Sequence, residues 1–166
     1  MKGRQGTCSF TGHRPAKLPW GDDERDERCL ALKARIRAAA ESAILAGTEH
    51  FICGMAEGCD LYFCEIVLAL KERYPHVTLE AALPCPSQAE RWSAASRARY
   101  HALLARCDYE TMVSERYSPG CMQRRNRYMV DRSSLLIAAH DGLPGGTRST
   151  IEYALRRGVE VVDVPL

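Results

Sequence analysis

The chain has 166 residues, 46% of them apolar, which is the size and composition of one domain with a single hydrophobic core. Its 23 basic residues nearly balance its 21 acidic ones, and the resulting net charge of +2 excludes a general electrostatic attraction to nucleic acid or membranes. Any anion-binding site must therefore be local.

The predicted elements alternate between short β-like runs and longer helical patterns. In chain order they are strand 6–11, a helix capped by Asp22 or Asp23 and ending near 46, strand 49–53, helix 59–74, strand 77–83, helix 87–106, strand 109–114, helix 122–132, strand 135–140, helix 147–157 and strand 159–164. Glu90 occupies the capping-box position of the helix that begins at Ser87. Gly47 and Pro75 end the first two helices.

This alternation indicates βαβ units and therefore a mainly parallel sheet with helices on both faces. We predict an α/β, three-layer Rossmann-like fold with about six strands, formed by residues 1–166 as one domain. Ligands bind such sheets in the crevice beyond the carboxyl ends of the strands. The segments that directly follow the strands are therefore the candidate site.

The eight cysteines form no C-x-x-C pair and no zinc-type spacing with histidine, so we expect free thiols and no metal site. No apolar run approaches the ~20 residues that span a membrane, and the first ten residues do not resemble a signal peptide. We expect a cytoplasmic protein with no membrane partner. The 19 arginines against 4 lysines indicate a coding bias, so arginine clusters are weak evidence of function.

Two adjacent glycines, Gly145 and Gly146, open the last predicted helix. Without Cβ atoms they let a ligand approach the main chain, where the free N–H groups of the helix end and about half a positive charge favour an anion. The hydroxyls of Thr147 and Thr150 add donors, and Glu152 could accept hydrogen bonds from ribose hydroxyls or act as a general base. The alternative is a plain glycine turn with a capping threonine and an exposed glutamate.

The loop after the second strand has a similar design, with Gly54, Met55 and Gly58 ahead of Asp60. Its G-x-x-x-G spacing is not the G-x-G-x-x-G fingerprint of dinucleotide-binding folds. Asp60, in the first turn of the next helix, could cap that helix or orient a loop or sugar hydroxyl. A structural and a functional interpretation are both open here.

Two further segments carry candidate ligand-binding side chains. After the first strand come Gly12, His13 and Arg14, of which the histidine could titrate near neutral pH and the arginine could hold a phosphate through two hydrogen bonds. In the fourth helix Arg125 and Asn126 should lie on the crevice side. A structural histidine and a solvated basic helix face are the alternatives.

Together the four segments resemble the SLOG superfamily, and most closely its YpsA-like branch. The matching motifs are TGHRP at 11–15; GxxxGxD at Gly54, Gly58 and Asp60; RN..MVD at Arg125, Asn126, Met129, Val130 and Asp131; and D...GGT..T..YA at Asp141, Gly145, Gly146, Thr147, Thr150, Tyr153 and Ala154. Four motifs in the right order over nearly the whole chain are far more specific than any one of them.

The resemblance implies a Rossmann-like domain that binds a nucleotide or a nucleotide-derived ligand, either a nucleoside monophosphate or an ADP-ribose-like molecule. Our own hypothesis is a sensor or regulatory domain that requires no cofactor. Related folds commonly pair through helices, so a homo-oligomer could form. Superfamily members also include the LOG phosphoribohydrolases, which cleave the base from a nucleoside monophosphate, and DprA, which binds single-stranded DNA. The near-neutral charge argues against nucleic acid as a partner here.

The hydrolase alternative depends on two residues. Arg125 falls where the catalytic arginine of the LOG pattern would be, and Glu152 matches its glutamate. Arg125 would then hold the phosphate, while Glu152 would stabilise an oxocarbenium-like sugar or activate water. Arg148 and Ser149, however, replace the Gly-Thr pair of that pattern, which puts a large cation where a backbone normally contacts the phosphate.

Overall fold

The computed structural model of the protein describes residues 4–166 as one six-stranded, all-parallel sheet with helices on both faces. The strands are β1 (Thr7–Gly12), β2 (His50–Cys53), β3 (Thr78–Leu83), β4 (Tyr109–Met112), β5 (Leu135–His140) and β6 (Glu160–Pro165). The helices are α1 (Glu27–Leu45), α2 (Cys59–Arg73), α3 (Ala94–Arg106), α4 (Cys121–Asp131) and α5 (Gly146–Arg156), with a short 3-10 turn at Pro15–Lys17. This confirms the predicted α/β, Rossmann-like fold.

The order of the strands determines where a ligand crevice can form. Across the sheet they run β4-β3-β2-β1-β5-β6, so the chain builds outward from β1 in one direction and then crosses to the other side of β1 with β5. Gly12 and Ala139 are register partners at the carboxyl ends of β1 and β5. The loops that follow these two strands diverge to opposite faces of the sheet, which leaves an opening between them.

Each face of the sheet is covered by its own set of helices. On one face α1, α2 and α3 bury the main core, in which the stacked rings of Phe10 and Phe63 have centroids 4.5 Å apart. On the other face α4 and α5 pack through Met129, Val130 and Ala154. Seven of the eight cysteines are buried and all eight are free thiols. Among residues 4–166 there is no helix with the length and apolar content needed to cross a bilayer.

Two helices begin later than the sequence predicts. The first helix is capped by Asp26, whose carboxylate accepts from the Arg28 N–H at 2.8 Å, and not by Asp22 or Asp23. The third helix begins after Ser93, whose hydroxyl accepts from the Ser96 N–H, instead of at Ser87. Residues 87–92 form successive turns closed by i→i+3 bonds, so the predicted capping box at Glu90 is wrong.

Candidate functional site

A cavity of about 360 Å³ opens at the carboxyl ends of β1 and β5. Its walls come from the loop after β1, the start of α2, one side of α4 and the first turn of α5. The lining residues are Phe10, Thr11, Gly12, His13, Arg14, Ala16, Lys17, Ala56, Asp60, Met122, Gln123, Arg125, Asn126, Met129, Gly146 and Thr147. All four segments predicted to carry chemistry therefore contribute to one cavity.

The loops after β1 and β2 fit closely together because of Gly58. Its φ of 86° lies in the left-handed region, and a Cβ there would come within 2.7 Å of the His13 carbonyl oxygen. That carbonyl accepts from the Cys59 N–H at 3.1 Å. Gly58 therefore supports the cavity wall from behind, and any larger residue would separate the two loops.

His13 is 4% exposed and is held at both ring nitrogens. Its Nε2 lies 3.0 Å from Oδ1 of Asp141, and its Nδ1 lies 3.4 Å from Oγ1 of Thr147. The Leu143 backbone N–H also donates to the Asp141 carboxylate, and this bond together with His13 lowers the pKa of Asp141. The imidazole thus joins the loop after β1 to the first turn of α5.

Arg125 is buried and fixed on one side only. Its Nη1 donates to the Gly54 carbonyl oxygen, and its Nε donates to Asn126 Oδ1 at 2.9 Å. Among the described residues the contact of Nη2 is Met122 Sδ at 3.9 Å, a weak acceptor. Burial lowers the pKa of Arg125, and the nearby charge of Asp60 opposes that effect. One guanidinium nitrogen therefore remains available to a ligand.

Asp60 supplies a buried carboxylate to the same cavity. Its Oδ2 accepts from the Ala56 N–H at 3.1 Å, while its Oδ1 has no hydrogen-bond partner within residues 4–166. Burial raises the pKa of Asp60, and the charge of Arg125 acts in the opposite direction. The fully buried Met55 has a φ of 61°, a strained backbone conformation for a non-glycine residue. This strained turn brings Ala56 onto the carboxylate.

The amino end of α5 carries no side-chain cap in the part of the chain that the structure describes. Gly145 is the N-cap residue, and Gly146 and Thr147 form the first helical positions at the cavity wall. The ammonium of Lys17 lies so close to Gly145 that a Cβ there would collide with it. A cation next to the positive end of a helix strengthens local attraction for an anion.

A second groove of about 200 Å³ runs between α4 and α5 and shares Gln123, Asn126 and Gly146 with the cavity. Glu152 lines this groove instead of the cavity, and its carboxylate pairs with Arg148 at 3.2 Å. Thr150 also lines the groove, but its hydroxyl donates to the Gly146 carbonyl oxygen at 2.9 Å. That hydroxyl proton is therefore already engaged.

The fourteen residues predicted from sequence fall into three groups. Those that line the cavity are Gly12, His13, Arg14, Asp60, Arg125, Asn126, Gly146 and Thr147. Those that shape its walls from behind are Gly54, Met55, Gly58 and Gly145, and those in the neighbouring groove are Thr150 and Glu152.

From the sequence, no role at the site was predicted for Lys17, Met122 or Gln123, and Asp141 was named as part of the fourth motif without its contact with His13 being predicted. Lys17 follows Arg14 by three residues, but its approach to Gly145 joins distant segments and has no local sequence signal.

Comparison with known proteins gives a consistent family assignment. The family model described as the YspA SLOG family matches residues 8–157. The chain is 34% identical over 138 residues to the uncharacterized SPbeta prophage-derived protein YoqJ of Bacillus subtilis strain 168, covering 75% of this chain and 81% of that protein. It is 28% identical over 165 residues to a UPF0398 protein of Bacillus pumilus, covering 95% and 84% of the two chains.

Among solved structures, the chain is similar to DNA processing protein A (DprA) from Streptococcus pneumoniae, with a TM-score of 0.60 and 17% sequence identity. The similarity covers 95% of this chain but 49% of that one, so the chain spans about half the length of that protein. At this identity the match shows the shared fold.

Proposed function

The chain belongs to the YspA SLOG family, and we propose that its cavity binds a nucleotide or a nucleotide-derived ligand, as a sensor or regulatory domain. The observation that carries the proposal is the meeting of three cations, a buried carboxylate and an uncapped helix end around one opening. A volume of about 360 Å³ is in the range of small-molecule sites.

The phosphate would bind at the first turn of α5. The N–H groups of Gly146 and Thr147 are available there. A ligand can approach closely because, outside the adjacent backbone of α5, no atom of residues 4–166 lies within 4 Å of the space that a Gly146 Cβ would fill. Lys17, Arg14 and Nη2 of Arg125 add positive charge around this point. Such donors match the oxygens of a phosphate group.

The sugar would be recognised by Asp60. A carboxylate is an acceptor, so a buried one repels phosphate but binds a pair of hydroxyl groups such as those of ribose. Its Oδ1 is the unpaired oxygen, within the described residues, that such hydroxyls would satisfy. Phe10, Met122 and Met129 supply apolar wall for a base. Anionic, hydroxylated and apolar parts together describe a nucleotide.

A binding role is favoured over hydrolysis by the position of Glu152. This carboxylate lines the neighbouring groove and is paired with Arg148, whereas general acid–base chemistry needs a group within hydrogen-bond reach of the reacting atoms. Among the lining residues of the cavity the carboxylate is that of Asp60. We therefore assign the site to ligand recognition first.

One experiment tests both nucleotide binding and the absence of hydrolysis. The purified chain is titrated with AMP by calorimetry, and the same mixture is then analysed by chromatography for released adenine. We expect saturable binding with no adenine, and AMP affinity within about twofold of wild type for Glu152→Ala. Release of adenine that disappears in Glu152→Ala would establish the hydrolase instead. Absence of binding to both AMP and ADP-ribose would contradict the proposal.

A further inference from the structure

We propose that His13 takes up one proton when a doubly charged anion binds at the first turn of α5, so that the site selects terminal phosphate monoesters over phosphate diesters. This inference rests on the proposed function and narrows its ligand class to nucleoside monophosphate-like molecules. It assigns His13 as a specificity-determining residue and Asp141 as the residue that positions it.

The hydrogen bonds of the imidazole ring determine its tautomer. Two contacts compete at Nε2: the Asp141 carboxylate oxygen at 3.0 Å needs a proton there, whereas the Asp141 N–H at 3.2 Å donates to a lone pair there. The carboxylate is the closer partner, and a hydrogen bond to a charged acceptor is stronger than one from a neutral donor, so we assign the proton of the neutral ring to Nε2. The Nδ1 lone pair then faces Thr147 Oγ1 at 3.4 Å. In the unliganded site the threonine hydroxyl therefore donates toward the ring and not into the cavity.

Protonation of Nδ1 reverses the direction of this hydrogen bond. The new N–H donates to Thr147 Oγ1, and the hydroxyl hydrogen is released to rotate toward a ligand oxygen. Thr147 is the second residue of α5, next to the N–H groups that would hold the phosphate. One proton therefore adds both a positive charge and a donor at the point where the anion binds.

The charges around the cavity also indicate that one proton is taken up for each doubly charged anion bound. Arg14, Lys17 and Arg125 contribute three positive charges, while Asp60 and Asp141 contribute two negative charges. With His13 neutral the sum is one positive charge, which balances a phosphate diester. A monoester carries close to two negative charges at neutral pH, and protonated His13 supplies the charge that balances them.

Other titratable and charged groups surround His13, and the test must separate the proton on His13 from their effects. From α2 these are Cys59 and Asp60, from α4 it is Arg125, from the loop after β5 it is Asp141, and from the histidine's own loop they are Arg14 and Lys17. Asp60 is the main competitor, because burial raises its pKa. The variants Asp60→Asn and His13→Asn distinguish the two candidates, since neither amide titrates.

Sulfate is the probe for the proton, because it stays doubly charged from pH 5.5 to 8.5. Calorimetry in two buffers of different ionisation heat should show net proton uptake by the wild-type protein. The dissociation constant for sulfate should rise with pH, approaching about tenfold per pH unit, the limit for one proton. In His13→Asn both effects should disappear, while Asp60→Asn should keep them.

Further variants cover the case in which His13→Asn does not fold. His13→Gln also removes the titrating ring, while Thr147→Val removes the hydroxyl and Thr147→Ser keeps it. We expect proton uptake to persist in Thr147→Ser and to fall in Thr147→Val. The calorimetric measurement of proton uptake by the wild-type protein does not depend on any variant folding.

Substrate class is tested with AMP and its methyl ester, which differ by one charge and one methyl group. At pH 6.5 wild type should bind AMP at least about tenfold more tightly than the methyl ester, and His13→Asn should reduce this preference. This inference would be overturned if the sulfate affinity of wild type did not depend on pH, or if His13→Asn showed the same pH dependence as wild type. In either case, saturable binding of AMP would still support the proposed function. Absence of binding to sulfate, AMP and ADP-ribose would overturn both.

Discussion

The guanidinium of Arg125 lies directly over Gly54, whose carbonyl oxygen accepts from Nη1. A Cβ on Gly54 would come within 2.8 Å of both Cζ and Nη1 of that arginine. The glycine after β2 thus serves to admit a buried cation and not primarily to bend the chain. The orientation of Arg125, and with it the direction of its free Nη2, depends on this contact.

Gly54→Ala should therefore damage both folding and binding. The methyl group would push the guanidinium off the carbonyl oxygens of Gly54 and Ala82, at a cost of about 1–3 kcal/mol in the free energy of unfolding. Urea denaturation measures the loss of stability, and AMP titration should show weaker binding. An alanine variant as stable as wild type would contradict the close packing described here.

Gly146→Ala is the matched substitution with the opposite expectation for stability. Within the described part of the chain, no atom beyond the adjacent backbone of α5 lies within 4 Å of the added Cβ. Because alanine also favours a helix, the free energy of unfolding should change by less than about 1 kcal/mol. The same Cβ would occupy the approach to the first turn of α5, so affinity for AMP and for sulfate should fall at least about tenfold. Unchanged affinity would show that the anion binds elsewhere.

The strand predictions succeeded where local sequence alone determines the structure. The apolar run Leu135–His140 is bounded by polar residues, and its predicted limits coincide with those of β5. The start of the third helix failed because Ser87 and Glu90 fit a local capping pattern, whereas tertiary contacts hold that stretch as turns. The Gln88 side chain, which donates to the Gly54 carbonyl oxygen at 3.3 Å, is one such contact.

The candidate site also contains some features that local sequence predicts and others that depend on tertiary contacts. The location of His13, directly after β1, and of Asp60, at the start of the helix after β2, was predictable because parallel strands bring their carboxyl ends to one edge. Helical geometry could also have separated Glu152 from Thr147, which lines the cavity, since five residues at 3.6 per turn leave them about 140° apart around the axis. The approach of Lys17 to Gly145 joins segments far apart in sequence, and nothing local in either one encodes it.

Asp60→Asn should separate recognition of the sugar from recognition of the phosphate. The asparagine side chain has the same shape as aspartate and keeps an oxygen that can accept from the Ala56 N–H. It loses the negative charge that makes a carboxylate a strong acceptor for hydroxyl groups. Hydrogen bonds to charged groups contribute about 1.5–3 kcal/mol, so AMP affinity should fall about tenfold or more. Sulfate, which has no hydroxyls, should bind at least as well as to wild type. Equal losses for AMP and sulfate would contradict the sugar-binding role.

A prediction independent of the ligand concerns Glu80, which is buried under α4. Burial acts to raise its pKa, but hydrogen bonds from His50 Nε2 at 2.8 Å, Tyr128 at 2.6 Å and Thr111 at 2.9 Å outweigh burial and lower the pKa below its ordinary value of 4.5. A carboxyl group with a lower pKa in the folded state stabilises the fold above the unfolded-state pKa. That contribution is lost as the pH falls through the pKa of the folded state.

The free energy of unfolding should therefore decrease as the pH falls below about 4.5, the ordinary value from which the pKa of Glu80 is lowered. Glu80→Gln removes the titrating group, so part of this decrease should disappear. The variant should also be less stable than wild type at pH 7, because the hydrogen bonds from His50 and Tyr128 to a charged carboxylate are lost. Urea denaturation at several pH values from 3 to 7 measures both effects. The control is Glu160→Gln at the exposed start of β6, which should reproduce the wild-type pH profile. If Glu80→Gln also reproduced the wild-type pH profile, the hydrogen bonds to Glu80 would not be the source of the protein's loss of stability in acid.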